Sequence, residues 1–257
     1  MTLVNRLNAS DLFGQLRPED EQEVRKATAH KSETLEWLLK GFEIYSALAE
    51  VSKYRDVLPP GAAQRIIRLK NVAISSGDVT ALSILLPNHY TQNESEYHPT
   101  DFSRGLVMGI YLNACIRKCT DNRIFVYTGN YGCFPEEIGG ANKDKQIIVV
   151  GDAGDRLGNN MVSGEIEVRG DVRGSQIAEN MKGGVIRIRG CADVSRIGER
   201  MEGGEVYISS VPEGANIFGL LETTSKPDDT LISGPEKPGG TVYYQGKPIF
   251  SSGRRVE

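Results

Sequence analysis

Met161, Met181 and Met201 stand twenty residues apart, and Ile177, Ile197 and Ile217 keep the same step, as do Gly164, Gly184 and Gly204. Three residue types copied at one fixed period mark a stacked array of short supersecondary units, each unable to bury its apolar face alone. The copies align without forcing. Ile147-Ile-Val-Val-Gly151 leads through Leu157 and Met161 to Gly164. Glu165-Ile-Glu-Val-Arg-Gly170 leads through Ile177 and Met181 to Gly184, and Val185-Ile-Arg-Ile-Arg-Gly190 leads through Ile197 and Met201 to Gly204. The frame reopens at Glu205-Val-Tyr-Ile208, and a looser earlier copy spans Tyr127 to Gly139.

Each copy holds a short strand after a glycine corner. Ile166 and Val168, Ile186 and Ile188, and Val206 and Ile208 point to one side, while Glu165, Glu167, Arg187, Glu205 and Tyr207 point to the other. Stacking the copies at ~4.8 Å per coil makes a continuous inner ladder of Ile, Val and Met. Gly151, Gly170 and Gly190, with Gly164, Gly184 and Gly204, supply corners where coils superimpose and side chains would collide. The period expected of left-handed hexapeptide solenoids is missing, and so is the calcium-binding nonapeptide signature. An antiparallel meander needs turns but no twenty-residue copying. The expected fold class is therefore α+β, an N-terminal helical or mixed region followed by a short right-handed single-stranded β-helix.

The segments Gly170–Gly190 and Gly190–Gly204, with Asn180-Met-Lys-Gly-Gly184 and Ile197-Gly-x-x-Met201-x-Gly-Gly204, resemble the GXGXG family. That family includes the C-terminal β-helix of the glutamate synthase large subunit and the formylmethanofuran dehydrogenase subunit that carries the same kind of repeat. The likeness covers about Tyr127 to Ser210. It implies a scaffold: a spacer between amidotransferase and flavin domains in the first case, and a subunit packed against catalytic ones in the second. Ala178 departs from the pattern where neighbouring copies have Gly158 and Gly198, and Ser210 departs where they have Gly151, Gly170 and Gly190. Residues 1–120 match neither relative.

The chain divides into a helical or mixed region over 1–120, the solenoid over 121–220 and an irregular tail over 221–257. In the first part, Pro18 with Glu19 and Asp20 predicts a helix start and a run to about Ala29. Ser32 predicts the N-cap of a second helix, with Leu35, Leu38, Leu39, Phe42, Tyr45 and Leu48 on one stripe. That stripe is expected to cover the first coil. The stretches 65–74 and 79–86 read as strands and 88–100 as a loop. The spacing of Phe102, Leu106, Leu112 and Ile116 predicts a helix on which Gly105 and Gly109 admit a close backbone, and Arg123–Tyr127 predicts a strand. Thr241 to Phe250 reads as a hairpin within the tail.

Candidate chemistry is thin. The net charge of −4 argues against holding a nucleic acid. The start of the chain has no leader pattern, the longest apolar run is half a membrane span, and four cysteines form no paired framework, so a cytoplasmic protein with no membrane partner is expected. His89 and His98 flank Glu94 and Glu96, and Cys115 and Cys119 sit one helical turn apart with Cys133 beyond, but the spacings fit no strong metal pattern. Gly151-Asp-Ala-Gly154-Asp-Arg-Leu-Gly158 resembles a dinucleotide loop but leads into the next repeat instead of a helix. No catalytic, cofactor or metal residue is assigned. Arg169 and Arg189 form an outward ladder of like charge, which reads as a solvated face or, as the alternative, as one that meets an anion or a partner carboxylate. The expected role is a non-catalytic assembly subunit of a glutamate synthase-like or formylmethanofuran dehydrogenase-like oxidoreductase complex, pairing with another chain or with itself. The alternative is an enzyme with a site between the N-terminal region and the β-helix, using His89, His98 or the cysteines.

Overall fold

The computed structural model describes residues 18–51, 60–68, 72–89, 101–129, 131–215, 239–251 and 254–256. The expectations for Ile217, His98, the loop beyond His89 and the chain over 216–238 lie outside these residues.

Five helices come first: α1 (Pro18–Ala29), α2 (Glu33–Val51), α3 (Pro60–Arg68), α4 (Ser76–His89) and α5 (Asp101–Lys118). Ser32 caps α2 as its sequence predicts, its Oγ accepting the Leu35 amide at 2.9 Å. Leu35, Leu38, Phe42 and Tyr45 are buried, while Leu48 is 50% exposed. Tyr111 of α5 donates to the Leu38 carbonyl at 2.8 Å and packs its ring against Phe42 and Tyr45.

Of the two stretches that read as strands, 79–86 is helical throughout and 65–74 is helical over 65–68, while Ile74 makes a single parallel bridge to Cys119. Over 60–68, Pro60 starts α3, and Ala63 and Ile67, four apart, are buried while Arg65 is exposed; that is a helical period. Over 79–86 the apolar run has no period because α4 is covered all round. It packs against α1, α2, α5 and the first strand, and every residue from Asp78 to Ile84 is buried. A short continuous apolar run is ambiguous between strand and helix, and enclosure decided this one.

The solenoid follows. Its main sheet holds β1 (Arg123–Tyr127), β2 (Gln146–Val150), β3 (Glu165–Val168), β5 (Val185–Ile197) and β6 (Glu205–Ser210) as parallel neighbours, with β4 (Val172–Ile177) paired to the second half of β5. One rung is held in turn by Arg123, Gln146, Glu165, Val185 and Glu205, and from Glu165 on the twenty-residue step of the sequence is the step of the stack. Ile188 stands between Val168 and Ile208 and is buried with them. Leu157, Ile177 and Ile197 form a second inward column. Together these make a β-solenoid of about 4 turns.

Over 241–255 the tail is more regular than expected. β7 (Thr241–Tyr244) continues the parallel rung, placing Thr241 on Glu205, and turns at Gln245-Gly246 into antiparallel β8 (Lys247–Ser251) and then β9 (Arg254–Arg255). Both turn residues have positive φ, 49° and 77°, the twist that suits a two-residue hairpin.

The helices cover the first coil through α4 and α5 and not through the Leu35–Phe42 stripe, which packs inside the bundle. Thr80 Oγ1 lies 2.9 Å from the Phe125 carbonyl and 2.8 Å from that of Ser76. The Tyr127 amide donates to Ser83 Oγ at 2.9 Å, and Ser83 passes its own proton to the Thr80 carbonyl at 2.7 Å. Two hydroxyls three residues apart thus satisfy groups of β1 that would otherwise form an open sheet edge.

Candidate functional site

The glycines that carried the sequence reading occupy the corners of the stack. A Cβ at Gly170 would lie 2.6 Å from the Gly151 carbonyl oxygen, and one at Gly190 would lie 2.4 Å from that of Gly170. A Cβ at Gly184 or Gly204 would lie 2.7 Å from the carbonyl oxygen of Gly164 or Gly184. Gly164, Gly184 and Gly204 also hold φ near 90–95°. Met161, Met181 and Met201 are buried inside. At the next corner Asp152 accepts the Asp171 amide, and Asp171 accepts the Cys191 amide, each at 2.8 Å. The dinucleotide-like stretch is such a corner, with Asp155 accepting the amides of Arg156, Ser175 and Gln176 at 2.7–2.9 Å.

The outward side chains of the main sheet pair across rungs. Arg187 donates to Glu165 at 3.0 Å and lies 4.3 Å above the Tyr207 ring, which stacks on Tyr243 at 4.4 Å. Glu167 and Arg187 share a rung, yet the ion pairs run diagonally: Arg189 bonds to Glu167 at 3.2 Å, and Arg169 lies 3.9 Å from the same carboxylate. Arg169 and Arg189 are therefore not a bare ladder of like charge, because Glu167 stands between them.

The other candidates lie apart. His89 Nδ1 is 2.8 Å from Glu43. Cys115 and Cys119 are buried at the end of α5, and burial pushes both thiols up, while Cys133 and Cys191 are half-buried and far along the chain. Among the described residues no three His, Cys, Asp or Glu side chains come together as a metal would require, and no described helix is long and apolar enough to cross a membrane.

A cleft does open between the N-terminal helices and the solenoid, with a volume of about 530 Å³. Lys26 of α1, His30 beyond its end, the first turn of α4 at Ser76 and Gly77, Arg123 and Phe125 of β1, and Arg169 all face it. Behind its wall sits Asp78. Ser75 and Asp78 form a capping box for α4, with the Ser75 amide on Asp78 Oδ2 at 2.9 Å and the Asp78 amide on Ser75 Oγ at 3.1 Å. The hydroxyls of Ser75 and Ser32 donate to the same carboxylate. His30 Nε2 lies 2.9 Å from Asp78 Oδ1. Burial alone would raise the Asp78 pKa, but the bonds from Ser32, Ser75 and His30 outweigh it and hold the carboxyl below its usual range. An ionised carboxylate only accepts, so His30 donates through Nε2 and turns its other nitrogen away from Asp78.

Sequence reasoning placed a site at this junction as an alternative but assigned it His89, His98 or the cysteines. Lys26, His30, Asp78 and Arg123 were missed. The Ser75-x-x-Asp78 box was the one local signal; the others come from distant elements. No family model, no curated protein and no solved structure matches this chain.

Proposed function

We propose that this chain is a non-catalytic assembly subunit, a right-handed β-solenoid of the GXGXG kind that holds the parts of a glutamate synthase-like or formylmethanofuran dehydrogenase-like oxidoreductase in relation. The observation that carries the reading is the pair of glycine columns, Gly151–Gly170–Gly190 and Gly164–Gly184–Gly204, in which each corner excludes a side chain because the coil below lies against it. Right-handed winding follows the strong general preference of parallel crossovers. The half-exposed row of Glu167, Arg187, Tyr207 and Tyr243 offers a partner charged and aromatic groups held in fixed register. The test is purification of the tagged full chain from its own cells. Stoichiometric recovery with an amidotransferase and flavin chain, or with a molybdopterin-type chain, is expected. A monomer by light scattering that brings down neither overturns the proposal.

A second reading has its own support: the cleft lies where the alternative placed a site, between helices and solenoid.

A further inference from the structure

Helix α2 carries two apolar faces. Leu35, Leu38, Phe42 and Tyr45 pack inside the bundle, whereas Ile44 and Leu48 are 57% and 50% exposed. No other large apolar side chain among the described residues is as exposed as either. The two stand one turn apart, and Trp37 lies two turns before Ile44 on the same stripe, half-buried against the core. Isolated apolar side chains are ordinary on a surface, but a run of three along one helix face marks a contact. Trp37 is also the chain's single tryptophan, a residue type that carries binding energy at interfaces.

The charges beside the stripe select its occupant. Lys40 is exposed one turn before Ile44. Glu43, on the same flank, keeps a side chain 45% exposed although its Oε1 lies 2.8 Å from His89 Nδ1. Glu33 and Glu36 are exposed in the turns before. Acidic groups along the stripe oppose an anionic membrane surface, which calls for a basic flank. A second copy of the same helix suits them when it runs antiparallel. A two-fold axis beside residues 42–43 lays the charged flank of one copy on that of the other with its direction reversed. Lys40 of each copy then lies alongside Glu43 of the other, Trp37 of each packs against Leu48 of the other, and the two Ile44 side chains flank the axis. A parallel pair would instead leave the two charged flanks on opposite sides.

We propose that α2 is a self-association surface on which two copies of this chain pair antiparallel through Trp37, Ile44 and Leu48, with Lys40 and Glu43 matched across the axis. One helix stripe stands at the small end of specific interfaces, so the expected Kd is about 1–100 µM. The assembly role concerns the solenoid, and neither proposal depends on the other.

Sedimentation velocity of the full chain from about 1 to 300 µM tests it, with Trp37 fluorescence followed over the same range. A monomer–dimer transition is expected, with a blue shift of the Trp37 emission at the same midpoint. Ile44→Asp and Leu48→Asp should each weaken the dimer on the order of a hundredfold. Both side chains are exposed, so thermal melts of these variants should match the parent, and either folded variant suffices. Lys40→Glu should weaken the dimer about fivefold or more, and Glu43→Lys added in the same chain should restore it. A monomer at every concentration, a dimer without the Trp37 shift, a Kd unchanged in the folded Asp variants, or a double variant no tighter than Lys40→Glu alone would each overturn the proposal.

Discussion

A Cβ placed on Gly109 would lie 1.8 Å from the carbonyl oxygen of Glu136, so helix α5 and the first long loop of the solenoid meet backbone to backbone. One turn earlier the same relation holds between Gly105 and the Phe134 carbonyl, at 2.2 Å, and the Glu136 amide donates to the Gly105 carbonyl at 3.1 Å. Neither partner atom is the end of a flexible side chain, so neither can swing aside.

Gly109→Ala should therefore separate α5 from the loop instead of being absorbed. A loss of about 3 kcal/mol or more is expected in urea melts, whereas an ordinary exposed Gly→Ala change in a helix gains up to ~1 kcal/mol. A variant as stable as the parent would mean the helix does not dock through this face.

The edge of β1 makes a second prediction. Ser83→Ala removes the acceptor of the Tyr127 amide and leaves a buried donor unsatisfied, at a cost of about 1–3 kcal/mol. Hydrogen exchange read at Tyr127 should speed up more than at Ile147 or Ile166 deeper in the stack. Equal protection at all three would show that Ser83 does not seal the edge.

Ala178 gives a third. It holds φ 58° at the position where Gly139, Gly158 and Gly198 hold 66–72°. A Cβ at Gly139 would strike Ile166 Cδ1 at 2.3 Å, and one at Gly158 would strike Ile186 Cδ1 at 2.4 Å. The same offset brings Ala178 opposite Val206, which has no δ carbon. The departure from glycine is thus matched by a smaller neighbour. Gly158→Ala should cost several kcal/mol. Ala178→Gly should shift stability by no more than about 1 kcal/mol, as relief of the left-handed backbone is offset by a small void and a looser unfolded chain. Adding Val206→Ile to Ala178→Gly should recover stability, while Val206→Ile alone should lose it. Additive effects in this cycle would refute the pairing.

The fourth concerns acid. The Asp78 carboxyl sits below its usual range in the folded chain, so its stabilisation is complete above the unfolded pKa near ~4 and is lost as pH falls through the lower folded value. Asp78→Asn should lower stability at neutral pH by about 2–3 kcal/mol and flatten the acid limb of the stability curve. Chemical melts from about pH 7 down to pH 3 check both. An unchanged acid limb would place the acid sensitivity elsewhere.

The solenoid was legible in the sequence because its cause is local and repeated. Met161, Met181 and Met201, the glycine corners and the alternation of Ile and Val with Glu and Arg each carry their meaning within one coil, and copying multiplies the signal. The same holds for the Ser32 cap, the α5 spacing with Gly105 and Gly109, and the hairpin turn near Gly246. What the sequence could not decide is what enclosure decides. The apolar run at 79–86 became a helix because four elements cover it, and residues buried on every side leave no period to read. Thr80 and Ser83 have a role only because β1 comes alongside. The cleft exists only because Lys26, His30, Arg123 and Arg169, spread over 144 positions of chain, are brought to one junction when the helices dock on the first coil. Contacts between elements distant in sequence leave no periodic trace in either one, and they belong to the tertiary structure alone.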